Sequence, residues 1–208
     1  MLETEFVPAK EAGSLYLMVV LHGLGDSMEG YRWLPEMLQL PWLNYLLVNA
    51  PDPYYGGFSW YDFVKEPGPG VKRSRESLFH VLDEQIKAGY ASGKTVVFGF
   101  SQGCLMTLEV GLRYPHLLAG LVGISGYSHE PEKGILELSP VAREQKFLIT
   151  NGSRDPLIPM KAVREQINLL KSAGLQIDWH EFNKDHTIAG EEEIKLVRSF
   201  VKSCCGKS

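Results

Sequence analysis

Long apolar runs are missing from this chain of 208 residues. The two longest, Leu15–Leu21 and Leu117–Ile124, fall far short of the roughly 18 residues that a membrane-spanning helix requires, so no transmembrane segment is expected. Cysteine is nearly absent as well. Cys104, Cys204 and Cys205 are an odd set, spaced neither as a disulfide framework nor as a zinc knuckle, and they suit a reducing compartment. The start, Met1-Leu2-Glu3-Thr4-Glu5, is acidic where a secretory signal needs positive charge followed by an apolar stretch, and the expected location is the cytoplasm. Nor is there an excess of positive charge. Lys plus Arg number 21 against 25 Asp plus Glu, a formal charge of −4, which leaves no electrostatic footprint for a nucleic acid. No two histidines have zinc-site spacing, and no internal repeat or linker rich in Pro, Gly or Ser divides the chain. One domain over residues 1–208 is the simplest organisation.

What the chain does contain is a recurrence of short apolar runs bounded by Gly, Pro, Asn or Ser: Leu15–Leu21, Tyr45–Asn49, Thr95–Phe100, Gly120–Ser125, Lys146–Thr150 and Leu175–Phe182. These read as strands. Between them apolar residues fall three and four apart, as in Leu78, Val81, Leu82 and Ile86, or Val163, Ile167 and Leu170 before Gly174. That spacing reads as amphipathic helix, and further helices are expected over Tyr31–Leu38, Gln102–Arg113 and Glu191–Lys202. Alternating strand and helix predicts an α/β fold with a mostly parallel sheet covered on both faces. Only Leu175–Phe182 alternates clearly, which predicts a more exposed strand. Pro51–Asp62 and Tyr127–Pro140 read as irregular, and Cys204-Cys205 as part of a mobile tail.

Gly99-Phe100-Ser101-Gln102-Gly103 matches the pattern that holds a serine on a sharp turn between a strand and a helix. In a chain with 21 glycines the pattern alone says little. Its setting says more, because an apolar run enters it and residues of helical spacing leave it. A serine hydroxyl is a weak nucleophile and needs a base within hydrogen-bond reach, itself oriented by a carboxylate. The usual chain order in such folds is Ser, acid, His. Asp155 follows the strand Lys146–Thr150 by one turn and precedes Pro156, whereas its competitor Asp178 lies within an alternating strand. Of the two histidines beyond Asp155, His180 shares that strand and His186 occupies the loop before the last helix. Ser101, Asp155 and His186 are therefore the candidate catalytic residues. An oxyanion hole needs two converging N–H groups. Gln102, after the serine, offers one, and Leu24, in the glycine-rich His22-Gly23-Leu24-Gly25-Asp26 after the first strong strand, offers the other. Trp60 and Tyr61 are candidates either to line a substrate groove or to pack their own loop against the body.

With these residues assembled, the chain resembles the acyl-protein thioesterase, phospholipase and carboxylesterase family of small serine hydrolases. The resemblance runs nearly end to end, through Leu21–Asp26, Trp60-Tyr61-Asp62, Gly99–Gly103, Asp155–Pro159 and Asp185–Ile188, in the family's order. It implies an α/β-hydrolase fold with no separate cap domain, a Ser101–His186–Asp155 triad with Leu24 and Gln102 as oxyanion donors, and no cofactor. It implies ester or thioester substrates, acylated proteins and lysophospholipids among them, an apolar groove for the acyl chain and often a homodimer. Cys104 stands where a third small glycine is usual, and Pro51–Ser59 is shorter than the corresponding loop. The competing expectation, a non-catalytic binding protein of the same fold, requires a broken triad or a blocked hole.

Overall fold

Short strands with no polar face are stable only when helices cover both sides of their sheet. The computed structural model, which describes residues 2–207, has that arrangement. Strand β1 (Thr4–Val7) is followed by β2 (Tyr16–Leu21), helix α1 (Leu34–Leu38), β3 (Leu43–Val48) and a hairpin of β4 (Asp52–Tyr54) and β5 (Gly57–Ser59). Strands and helices then alternate through α2 (Pro67–Lys87), β6 (Thr95–Phe100), α3 (Gln102–Arg113), β7 (Gly120–Ile124), α4 (Pro131–Leu136), β8 (Lys146–Gly152), α5 (Met160–Ser172), β9 (Gln176–Phe182) and α6 (Glu191–Cys204). The main sheet has seven strands in the order β1-β3-β2-β6-β7-β8-β9, and only β1 runs antiparallel to its neighbour.

Each central strand sends alternate side chains to opposite cores. Leu17, Val19, Leu21, Val97, Leu121, Phe147 and Ile149 meet α2, α3 and α5 on one face. Met18, Val20, Val96, Phe98, Val122 and Leu148 meet Leu34 and Leu38 of α1 and Ile194, Val197 and Val201 of α6 on the other. β2, β3, β6 and β7 are buried on both faces, whereas β9, at the sheet edge, buries Ile177 and leaves Gln176, Asp178 and Glu181 exposed. The parallel strands also bring their carboxyl ends to one rim, where an open α/β sheet places its ligand-binding loops.

Five points depart from the sequence expectations. The short polar strand β1 is an addition, since Thr-Glu-Phe-Val carries no strong apolar signal. The expected helix Tyr31–Leu38 is split into a 3₁₀ turn at Met28–Tyr31 and α1, which takes Pro35 in its first turn. The stretch Pro51–Asp62 contains a hairpin, because Tyr55 and Gly56 both take the positive φ of a tight two-residue turn. The stretch Tyr127–Pro140 contains α4. At the other end, Cys204 closes α6, and Cys205 is buried in the second core rather than part of a mobile tail.

Helix α3 lies so close to the sheet that a Cβ at Gly111 would stand 2.4 Å from the edge of the buried Phe147 ring. Gly111→Ala is therefore expected to destabilise the fold. The overpacking, about 1–3 kcal/mol, exceeds the gain of about 1 kcal/mol in helix propensity. Urea unfolding of the variant should give a lower midpoint than the parent, and a higher one would show that the ring has room to move.

Candidate active site

Ser101 occupies the corner between β6 and α3 with φ +54° and ψ −116°, a conformation that costs a non-glycine residue about 1–3 kcal/mol and persists only where the surroundings enforce it. They do so on both sides. The Ser101 N–H donates to Ile124 O at 2.9 Å, and its carbonyl accepts from Cys104 N and Leu105 N at 3.0 and 3.2 Å. The motif's glycines are required by contact. A Cβ at Gly99 would stand 2.1 Å from Gly103 O, and one at Gly103 would stand 2.2 Å from Leu21 O. The larger Cys104 is accommodated by glycine elsewhere, since Cβ atoms at Gly123 and Gly126 would come within 2.6 and 2.5 Å of its sulfur. Burial pushes the Cys104 thiol up to about 12, which leaves it an inert packing group.

The loops after β8 and β9 bring the other two candidates to this corner. His186 Nδ1 donates to Asp155 Oδ2 at 2.7 Å, which leaves Nε2 to accept from the Ser101 hydroxyl at 2.9 Å. The Asp155 side chain is fully buried, and its second oxygen accepts the N–H groups of Leu157 and Ile158, both at 2.9 Å. The carboxylate is thus fixed at both oxygens. The competitors Asp178 and His180 pair with each other at 2.9 Å on the exposed edge strand. Ser101, His186 and Asp155 come together; Asp178 and His180 do not join them.

The loop His22–Asp26 lies directly against Ser101, for a Cβ at Gly23 would be 3.3 Å from that of Ser101. Among the described residues neither Leu24 N–H nor Gln102 N–H has a hydrogen-bond partner, and Gln102 opens α3, where the helix leaves its first donors free. The loop's own support is His22, a fully buried residue. Its Nε2 accepts from Ala50 N at 3.0 Å, so its Nδ1–H donates to Gly23 O at 2.6 Å. Burial lowers the His22 pKa below the ordinary 6.5, with the Gly23 hydrogen bond and the Asp26 charge opposing that shift.

Trp60 and Tyr61 are 0% and 1% exposed, so the packing alternative applies and neither ring walls an open groove. The Trp60 indole donates to His22 O at 2.9 Å, and the Tyr61 hydroxyl meets that of Tyr127 at 3.2 Å. Two further groups carried no sequence signal. Glu193, one of three consecutive acids opening α6, turns inward and binds Lys184 Nζ at 2.6 and 2.9 Å, the N–H of Ala189 at 2.6 Å and the Thr150 hydroxyl. This buried cluster fastens the His186 loop to β8 and α6. Among the described residues no group of three or more His, Cys, Asp or Glu side chains is arranged to hold a metal ion.

Two outcomes follow from these burials. Glu193→Ala leaves the Lys184 ammonium unpaired and buried, and should cost about 3–5 kcal/mol in chemical denaturation. Pairing Glu193→Leu with Lys184→Met should restore most of that loss. As for His22, the unfolded chain takes up a proton as pH falls through 6.5 while the folded chain, with its lowered pKa, does not. Stability should therefore decline on acidification below that point. His22→Gln should flatten this part of the stability profile, and an unchanged profile would count against the burial argument.

Known proteins resemble this chain over most of its length. The family model for phospholipases and carboxylesterases matches residues 2–205. Acyl-protein thioesterase 1 of Schizosaccharomyces pombe is 33% identical, with 68% of this chain and 69% of that protein covered. Its namesake in Yarrowia lipolytica is 28% identical with 94% of each covered. Among solved structures, esterase PE8 superposes with a TM-score of 0.87 at 25% identity, covering 98% of this chain and 99% of that one. Acyl-protein thioesterase 2 of Zea mays shares the fold at a TM-score of 0.79 and 23% identity, covering 98% and 99%. The sheet and its helices are an α/β-hydrolase fold, and no separate cap domain is present among the described residues. With a family model matched over almost its whole length, the chain belongs to the phospholipase/carboxylesterase family.

Proposed function

We propose that this member of the family is a serine hydrolase that cleaves carboxylic esters and thioesters through an acyl-enzyme on Ser101, working as one α/β-hydrolase domain. The observation that carries the reading is the unbroken series Ser101 Oγ, His186 Nε2, His186 Nδ1 and Asp155 Oδ2, joined at 2.9 and 2.7 Å on a strained corner. In the first half-reaction Oγ attacks the acyl carbonyl while His186 Nε2 takes its proton. The negative charge on the former carbonyl oxygen is received by the N–H groups of Leu24 and Gln102. As the carbon–oxygen or carbon–sulfur bond breaks, His186 returns the proton to the departing alcohol or thiol. Water then attacks the acyl-serine and passes a proton to His186, which returns it to Ser101 Oγ as the acyl–oxygen bond breaks and the carboxylic acid leaves. Asp155 keeps the imidazole in the tautomer whose Nε2 accepts, and stabilises the imidazolium formed in each half.

The substrates we assign are acyl esters and thioesters, with acylated proteins among them. Support for the thioester and protein-linked part comes from the fungal relatives named acyl-protein thioesterase. A soluble binding protein of the same fold would lack the proton path, and the hydrogen-bond series argues for catalysis.

A fluorophosphonate probe should label the native protein and fail to label Ser101→Ala, which should lose turnover of a 4-nitrophenyl ester by roughly 10⁴–10⁶-fold. A native protein that neither takes the label nor cleaves a graded panel of esters and thioesters would favour the binding protein instead.

A further inference from the structure

The two proposed oxyanion donors come from distant parts of the chain, Leu24 after β2 and Gln102 at the start of α3, and something must hold them at one spacing. We infer that Gly57–Tyr61 is a splint between them, with the Gln102 side chain and the Trp60 indole as its positioning residues. This rests on the oxyanion reading above.

The splint is bonded to both donor segments. On the Leu24 side, β5 pins the two residues that follow the donor: Gly25 N–H donates to Phe58 O and Phe58 N–H donates to Asp26 O, both at 2.9 Å. The approach is so close that a Cβ at Gly57 would lie 2.2 Å from Gly25 O. Ahead of the donor, the Trp60 indole N–H holds His22 O at 2.9 Å. Leu24 therefore sits on a short arc anchored before and after it by one segment, and the direction of its N–H is set by those anchors.

On the other side, the Gln102 side chain reaches out of its own helix. Its Oε1 accepts from Trp60 N at 2.9 Å and lies 3.3 Å from the Ser59 hydroxyl, and its Nε2 donates to Tyr61 O at 3.0 Å. Ser59 Oγ donates to the same Tyr61 carbonyl at 2.7 Å, and Ser74 Oγ donates to Trp60 O. Gln102, Ser59 and Trp60 are all buried, so these bonds do not compete with bulk water. One residue thus offers a donor through its backbone and holds the segment that orients the other donor through its side chain.

Two variants separate this role from simple packing. Trp60→Phe keeps a buried ring and removes the indole N–H. Gln102→Met keeps the chain length and the backbone N–H and removes the amide bonds. Turnover of 4-nitrophenyl acetate is measured per active site counted with the fluorophosphonate, so that unfolded protein does not enter the rate. Each variant should lower kcat by roughly 10–100-fold, less than the 10²–10³-fold of losing a donor outright, with KM nearly unchanged. Affinity for an aryl trifluoromethyl ketone, whose adduct with Ser101 carries a real oxyanion, should fall in parallel with kcat/KM. The double variant should lose little more than the worse single one, because the two act through one segment. Wild-type kcat and inhibitor affinity per labelled site in both variants, with or without a lower melting temperature, would overturn the splint while leaving the hydrolase reading intact. A native protein that takes no label, or a Ser101→Ala variant as active as the parent, would overturn the hydrolase reading and the splint with it.

Discussion

The backbone of one residue, the positive φ of Ser101, is the constraint on which the rest of the site depends. A serine on a regular strand or in the first turn of a helix would direct its hydroxyl into a neighbouring layer. The left-handed corner instead lifts Oγ to the rim of the sheet, within reach of the loops after β8 and β9. That corner exists because β6, β2 and α3 approach so closely that no side chain fits at Gly99 or Gly103. The strain at Ser101 is offset by the large, dry cores on the two faces of the sheet. Packing remote from the site therefore fixes where the Ser101 hydroxyl stands.

Around this corner the loops are held by different kinds of bond. The acid turn and the imidazole loop are stitched by backbone hydrogen bonds, Ser153 N to Phe182 O and Arg154 N to Lys184 O. Beneath them lies an ion pair, Lys184 with Glu193, shielded from solvent. Such pairs contribute little net stability over an apolar replacement, but they strongly disfavour any arrangement that separates the partners. The loop carrying His186 is consequently specified by a charge requirement, and the loop carrying Leu24 by neutral hydrogen bonds to His22, Phe58 and Trp60.

Much of this was legible before the structure. The period of the apolar residues marked the six strands that form the body of the sheet, because strands dry on both faces write themselves as unbroken apolar runs. Alternation at Leu175–Phe182 marked the edge. The three residues joined by hydrogen bonds are legible because nucleophile chemistry requires an alcohol, a base and an acid, and each stands in a loop beyond the carboxyl end of a strand, β6, β8 or β9. What stayed hidden depends on tertiary contact. Thr4–Val7 is a strand only because β3 offers it a partner, and Tyr55-Gly56 gave no usual turn signal because tyrosine seldom adopts positive φ. Nothing local distinguishes the inward Glu193 from its two acidic neighbours. The Gln102 amide was likewise invisible, since its partners lie some forty residues away in a loop that reads as irregular.

The N–H groups of Leu24 and Gln102, the proposed oxyanion donors, belong to the main chain, and this has an evolutionary consequence. Every amino acid but proline carries that group, so mutation at either site can change the side chain and leave the donor itself in place. A lineage can then vary the residue at position 24 to suit a new substrate without dismantling the proposed oxyanion hole. Innovation in such a scaffold is cheap at the donors themselves and constrained at the glycines and the amide that aim them.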